Sequence, residues 1–400
     1  MTKPATAEAF FNEDFAAHAA ELPGAGVPWL DQRRAEAITN FRKTGVPHRR
    51  VENWKYTDLK VALESANDVS SGTVAWKIAP VPAGVELFDL SNLADAPEWV
   101  SARLGKAAAA NAIAAASLAL ARSGFALRVA KNTDVAETLR LSFSGDGHVR
   151  ALIVLEEGAS LTLAEKQAAT GSFRNTGLEI VLGRNAHLTH LRVAEATNAI
   201  EVEDVAIRVA GDASYRAHLV NGGAKPARLN LRVTLKEPGA SAHFSGVSVL
   251  GEESHADVTT EIYHASGRTQ STQLFKHVVG GKAQAVYQGK ITVAEGADQS
   301  DSRQTAKALL LSPRAEADLK PELEIFAEDV KCAHGAAVGD LDADSLFYLR
   351  SRGVPEGEAR SLLIHAFVED ALGEIAREDL RAELTQVVEK ALPRAQEPLP

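Results

Sequence analysis

The strongest constraint on this chain is a repeat. Pairs that begin with alanine, Ala159-Ser160, Ala186-His187, Ala213-Ser214 and Ala240-Ser241, follow one another at intervals of 27 residues. Apolar, β-forming runs keep the same phase: Ala151–Leu155, Leu178–Leu182 and Val205–Val209, then Leu231–Leu235 after a slip of one residue. A fixed period that holds strands and turns but no helix predicts a β-solenoid, because one coil cannot bury its own inner face and stacking creates the core. A β-sandwich with evenly spaced strands is the competing arrangement. The β texture runs from about residue 125 to 335.

The flanks read differently. Residues 5–45 look helical and stop at Gly45-Val46-Pro47, and 62–100 reads as an irregular connection with a few strands. The alanine-rich run Ala107–Ala121 is 15 residues long, short of the roughly 20 that span a bilayer, and reads as a buried helix. After Gly339 the chain turns helical again. Helices are predicted at Ser345–Arg350, about Glu358–Leu372 and about Ile375–Lys390, with Leu362, Leu363, Ala366, Phe367 and Ala371 as the apolar stripe of the second. The tail Pro393–Pro400 reads as frayed. The expected domains are 1–124, helical and mixed; 125–340, the β-helix core; and 341–400, a C-terminal helical subdomain.

Composition removes several functions. Forty-three Lys and Arg against 53 Asp and Glu leave a net charge of −10, a poor match to nucleic-acid wrapping. A lone cysteine, Cys332, excludes internal disulfides and Cys-x-x-Cys sites. Each Gly-Lys pair is followed by Ala or Ile, so there is no ATP-binding P-loop, and neither a His-Glu-x-x-His zinc motif nor a Gly-x-Ser-x-Gly elbow occurs. The first 15 residues carry Glu8, Glu13 and Asp14 and no apolar core of a signal peptide. The expectation is a soluble cytoplasmic protein without a membrane or nucleic-acid partner.

Of the 12 histidines, His187 and His190 have a metal-like spacing only on a helix; on a strand they face opposite sides. Cys332 and His334 stand two apart in an extended run and so share one face. A thiolate beside an imidazole suits a borderline-soft metal such as iron, and Lys331 is expected to lower the thiol pKa. A small buried Cys with a hydrogen-bonded His is the plain alternative.

Longer motifs carry a resemblance. Glu52-Asn-Trp-Lys-Tyr-Thr-Asp-Leu59, Lys320-Pro-Glu-Leu-Glu-Ile325, Asp329-Val-Lys-Cys-Ala-His-Gly335 and Leu346-Phe-Tyr-Leu-Arg-Ser-Arg-Gly353 together resemble the SufB/SufD family, and the single cysteine places the chain on its SufD side. The resemblance implies a right-handed parallel β-helix flanked by helical regions. It implies a scaffold subunit, not an enzyme, in a SufB–SufC–SufD complex that assembles iron–sulfur clusters. The cluster would be transient and shared with a SufB-like partner at an interface near His334 and Cys332, on coils of about 265–335. A SufC-like ATPase would dock on about 341–376, with Phe347, Tyr348, Arg350, Arg352 and Phe367 as its contacts. Trp54 and Tyr56 are expected to pack the N-terminal region against its neighbour. A self-associating homodimer is the second reading. A carbohydrate-active β-helix enzyme is the third, and the absence of recurring acidic clusters counts against it. Flavin binding is left open.

Overall fold

Side chains alternate faces along a strand, so each repeat can send one set inward and the other outward. In the computed structural model, which describes residues 6–392 apart from 67, 68, 70, 71 and 108–110, that alternation winds two sheets around one interior. One sheet stacks β1 (Ala75–Ala79), β4 (Leu139–Ser144), β6 (Ser160–Ala168), β8 (His187–Ala194), β10 (Ser214–Asn221), β12 (Ser241–Leu250), β14 (Gln270–Val279), β16 (Ser300–Leu310) and β18 (Val330–Gly339). The other stacks β2 (Val85–Asp89), β3 (Ser123–Val129), β5 (Gly147–Leu155), β7 (Phe173–Leu182), β9 (Ile200–Val209), β11 (Ala227–Leu235), β13 (His255–His264), β15 (Gln284–Val293) and β17 (Glu316–Ile325). The chain is a β-solenoid. Antiparallel pairing of β1 with β4 and of β2 with β3 begins the stack, and every later pair is parallel.

The register matches the repeat. Ser160, His187, Ser214 and Ser241 are ladder neighbours in one sheet. Ala151, Leu178, Val205 and Leu231 are neighbours in the other, slip included. Beyond these the coil lengthens. Ser241 neighbours Gln270, Gln270 neighbours Asp301 and Asp301 neighbours Lys331, so intervals of 29, 31 and 30 replace 27.

The repeated alanines are fully buried at the corners. The residue before each, Gly158, Asn185, Asp212 or Gly239, has φ between +55° and +78°, which Gly adopts freely and Asn or Asp tolerate best among the rest. Phe125, Phe143, Tyr215, Phe244, Phe275 and Tyr287 fill the interior, each contributing about 1.5–3 kcal/mol by burial.

Helices cover both outer faces. The N-terminal set is α1 (Ala7–His18), α2 (Pro28–Thr44), α3 (Leu59–Ser65), α4 (Glu98–Ser101) and α5 (Ala112–Leu120). Every residue of α5 is buried, and Asn111 Oδ1 caps it by accepting from the Ala114 N–H at 2.8 Å. Beneath it Arg150 donates to Ser117 Oγ at 2.9 Å and to Glu179 at 2.5 Å. The C-terminal set is α6 (Ala343–Ser351), capped by Asp342, α7 (Glu356–Leu372) and α8 (Glu378–Ala391). The buried stripe of α7 is Ile364, Val368, Ala371 and Leu372, which packs with Leu380, Leu384 and Val388 against Leu191, Val220, Val247 and Val278. This corrects the stripe expected from sequence: Leu362 and Ala366 face solvent. A helix carrying more apolar residues than one face needs leaves its orientation to the sheet it meets. Pro393–Pro400 lie outside the described residues.

Burial gives the fold a defined acid sensitivity. It holds His148 down to about 3 and His218, His264 and His277 down to about 4, His218 also feeling the charge of His243. Each is therefore neutral in the fold but takes a proton in the unfolded chain below about 6.5. Stability is expected to be full above that pH and to fall toward pH 4, by up to about 1.4 kcal/mol per pH unit for each histidine. Urea unfolding across this window measures the slope, and His277→Phe should reduce it by one proton. An unchanged slope would show that His277 does not titrate between the two states.

Candidate functional site

The last coil has no strand on its far side. Among the described residues β17 pairs only with β15 and β18 only with β16. Phe326 is 62% exposed and Val338 and Ile325 lie open along the same end. A long, partly apolar, unpaired edge is a template for another chain.

Cys332 and His334 sit on this edge. Cys332 is half-buried and packs against the interior, so the alternation of β18 carries His334 on the same inward-facing side. Below them two polar ladders descend inside the last coils. Under Cys332 lie Ser302 and Ser271, with Oγ atoms 2.8 Å apart, and Ser271 reaches His264 Nε2 at 2.9 Å. Under His334 lie Gln304 and Gln273, joined through Tyr287 from the opposite sheet. Phe244 and Phe275 stand next in the interior.

Burial, and then the negative charge of Asp301, raise the Cys332 thiol above its ordinary value. The expected help from Lys331 is not found. Lys331 occupies the alternate position of the strand and so faces away from the thiol. Cys332 in the isolated chain is thus a thiol that must lose its proton to bind metal. Among the described residues no three His, Cys, Asp or Glu side chains group as a metal site. Cys332 and His334 would offer two donors on one face, fewer than the four that a cluster usually takes. His187 and His190 do face opposite sides: His187 bonds Ser214 at 2.8 Å on the surface, and His190 lies inside against Glu165 at 3.0 Å and Tyr215 at 2.9 Å.

Sequence motifs far apart in the chain meet at this end. The segment from Glu52 straps the outer face of β11, β13, β15 and β17. Glu52 pairs with Lys320 at 2.6 Å, Asn53 with Glu261 at 3.2 Å, and Gln288 donates to the Asn53 carbonyl at 3.2 Å. Trp54 is buried with the Arg228 guanidinium 4.0 Å from its ring, and Thr57 donates to Asp257 at 2.5 Å. Trp54 thus packs the N-terminal region onto the solenoid; Tyr56 lies beside Lys55, whose ammonium is 5.4 Å from the ring.

The C-terminal helices present a separate surface. Phe347 is 73% exposed and Tyr348 57%, with the Arg352 guanidinium 5.2 Å from the Tyr348 ring and Arg350 paired to Glu356 at 3.5 Å. Phe367 is placed differently. It is half-buried under the Lys276 ammonium at 4.5 Å, and Lys276 also pairs with Asp370 at 2.6 Å, so Phe367 serves packing against the solenoid.

Sequence reasoning missed the ladder residues Ser271, Gln273, Ser302 and Gln304. The available signal was Ser300-x-Ser302-x-Gln304, a polar set at every second position, which usually marks a solvent face. It also missed the interior ions Glu165, Arg174, Arg192, Glu201 and Glu203, buried among apolar coils.

Comparison with known proteins gives one consistent picture. A family model described as the SufBD core domain of the SUF iron–sulfur cluster assembly system matches residues 143–367, and one for the SufBD N-terminal region matches 5–80. The chain is 30% identical to an iron–sulfur cluster assembly SufBD family protein of Synechocystis, over 90% of each chain. It is 30% identical to the iron–sulfur cluster assembly protein SufD of Escherichia coli, over 89% of this chain and 92% of that one. A SufBD family protein of Mycobacterium tuberculosis is 26% identical over 92% and 95%. No helix among the described residues is long and apolar enough to cross a membrane. The chain belongs to the SufBD family of iron–sulfur cluster assembly proteins.

Proposed function

We propose that this chain is a non-ATPase scaffold that completes its cluster site only with a partner. A cysteine-bearing, SufB-like scaffold pairs with the open edge of β17 and β18, and the cluster grows between the two over His334 and Cys332. The observation that supports this is the meeting, on one unpaired edge, of Cys332, His334 and the ends of the two buried polar ladders. A thiol and an imidazole supply at most two ligands, so the partner's thiolates must supply the rest. The isolated chain is expected to carry little iron or sulfide, and the complex to carry both. Amide exchange in 316–339 should slow on complex formation, as unpaired strand groups gain partners. A fully loaded cluster on the isolated chain, or unchanged exchange in that stretch, would overturn the reading. Slowing with added copies of this chain alone would favour the homodimer.

A SufC-like ATPase is assigned to the exposed face of α6. Aromatic residues dominate many interfaces, and Phe347 and Tyr348 hold no place in the core. The double substitution Phe347→Glu, Tyr348→Glu should weaken ATPase binding by about a hundredfold, measured by titration calorimetry, with the unfolding midpoint unchanged. Unchanged affinity would place the docking surface elsewhere.

A further inference from the structure

The carboxamide ladder under His334 ends in an unused acceptor. Gln304 is 1% exposed, and its Oε1 has no hydrogen-bond partner within the protein. Its Nε2 is committed, donating to Tyr287 Oη at 2.7 Å, and Tyr287 Oη donates in turn to Gln273 Oε1 at 3.1 Å. With the Gln273 oxygen toward the phenol, the phenol proton goes to it and the phenol lone pair is left for the Gln304 nitrogen. This order leaves two buried groups of the ladder without a partner, the Gln304 oxygen toward the open end and the Gln273 nitrogen one coil below.

The space for the chain of bonds is built in. A Cβ at Gly289 would lie 1.6 Å from Gln304 Nε2 and 2.4 Å from Tyr287 Oη, so a side chain at 289 would displace both. A buried, unpaired carbonyl is costly, and a donor in reach recovers that cost. The ladder neighbour of Gln304 toward the open end is His334, on the same inward-facing side. His334 is exposed and makes no hydrogen bond to that oxygen here, but its imidazole carries the donor that the carbonyl lacks.

We propose that Gln304 is a positioning residue for His334: its Oε1 accepts the imidazole N–H, which selects one tautomer and presents the other ring nitrogen at the open edge. Metal-binding histidines commonly have the second nitrogen held in this way, and losing the holder lowers metal affinity by about 10–100-fold. The inference rests on the reading of His334 as a ligand, but its structural half can be tested without metal.

The test uses the full-length chain with 15N-labelled histidine and long-range 1H–15N correlation spectra above pH 7.5, followed by iron and sulfide analysis of the complex with its partners. Wild type should show a single neutral tautomer for His334, assigned by its loss in His334→Ala. Gln304→Met keeps the bulk and removes the acceptor; it should give a mixture of both tautomers and about tenfold less cluster. Gln304→Glu keeps an acceptor and should retain one tautomer and most of the cluster. If Gln304→Met fails to fold, Tyr287→Phe frees the carboxamide to turn and should give the same mixture. A His334 tautomer unchanged in a folded Gln304→Met or Tyr287→Phe protein overturns the proposal. A tautomer that shifts while His334→Ala still loads cluster fully would keep the contact and remove the ligand role of His334 instead.

Discussion

His334→Ala is expected to lower the iron and sulfide content of the reconstituted complex by about tenfold or more, while the complex still assembles and still hydrolyses ATP. Iron takes imidazole as a neutral ligand, and alanine leaves that coordination position to water. The strand itself is untouched: His334 is exposed, and β18 keeps its pairing with β16 through backbone groups. Cys332→Ala should do less, because in the proposed complex thiolates of a cysteine-bearing partner could replace a soft ligand but not a placed imidazole. If edge pairing governs assembly, as proposed, the loss should separate from assembly. Iron, sulfide and visible absorption of the complex decide the matter. Wild-type loading in His334→Ala would make this histidine a structural residue.

Arg192→Met should destabilise the fold by about 3–5 kcal/mol, the usual result of leaving buried carboxylates without their cation. Arg192 binds Glu203 at 2.5 Å and Asn221 at 3.0 Å, and Glu165 lies 3.8 Å away, all inside the solenoid. Burial raises the Glu203 pKa even in the native network, and losing Arg192 removes the main influence that lowers it. The variant should then keep Glu203 protonated to higher pH. A carboxyl with a raised folded-state pKa loses stability as pH rises through that value, so the deficit should be larger at pH 8 than at pH 5. Urea unfolding of both proteins at the two pH values measures it. Adding Glu203→Gln should restore part of the loss, since no charge then remains unpaired at that position. A deficit under about 1 kcal/mol would mean that the interior does not hold these groups as ions.

Much of this was legible in the chain. The 27-residue interval from Ala159 to Ala240, and the slip before Leu231, are the ladder register itself, because parallel stacking sets equivalent residues of successive coils side by side. Local sequence also marked α6, whose cap Asp342 precedes the helix it starts. Proximity of Cys332 and His334 followed from the period of a strand. The lengthening to 29, 31 and 30 residues was not visible, since corner loops absorb extra residues without disturbing the strands.

Which side of a strand faces in is a tertiary decision, because alternation is the same for both faces. Nothing local therefore marks Ser302, Gln304, Arg192 and Glu203 as buried; the opposite sheet closes over them. The pairing of Glu52 with Lys320 joins segments 268 residues apart, and no local pattern encodes which distant charge a side chain will meet. The sequence by itself determined the repeating coil and the residues at its end; only the closed solenoid decided which polar groups stand beneath His334, since burial is a property of the packed sheets and not of either strand.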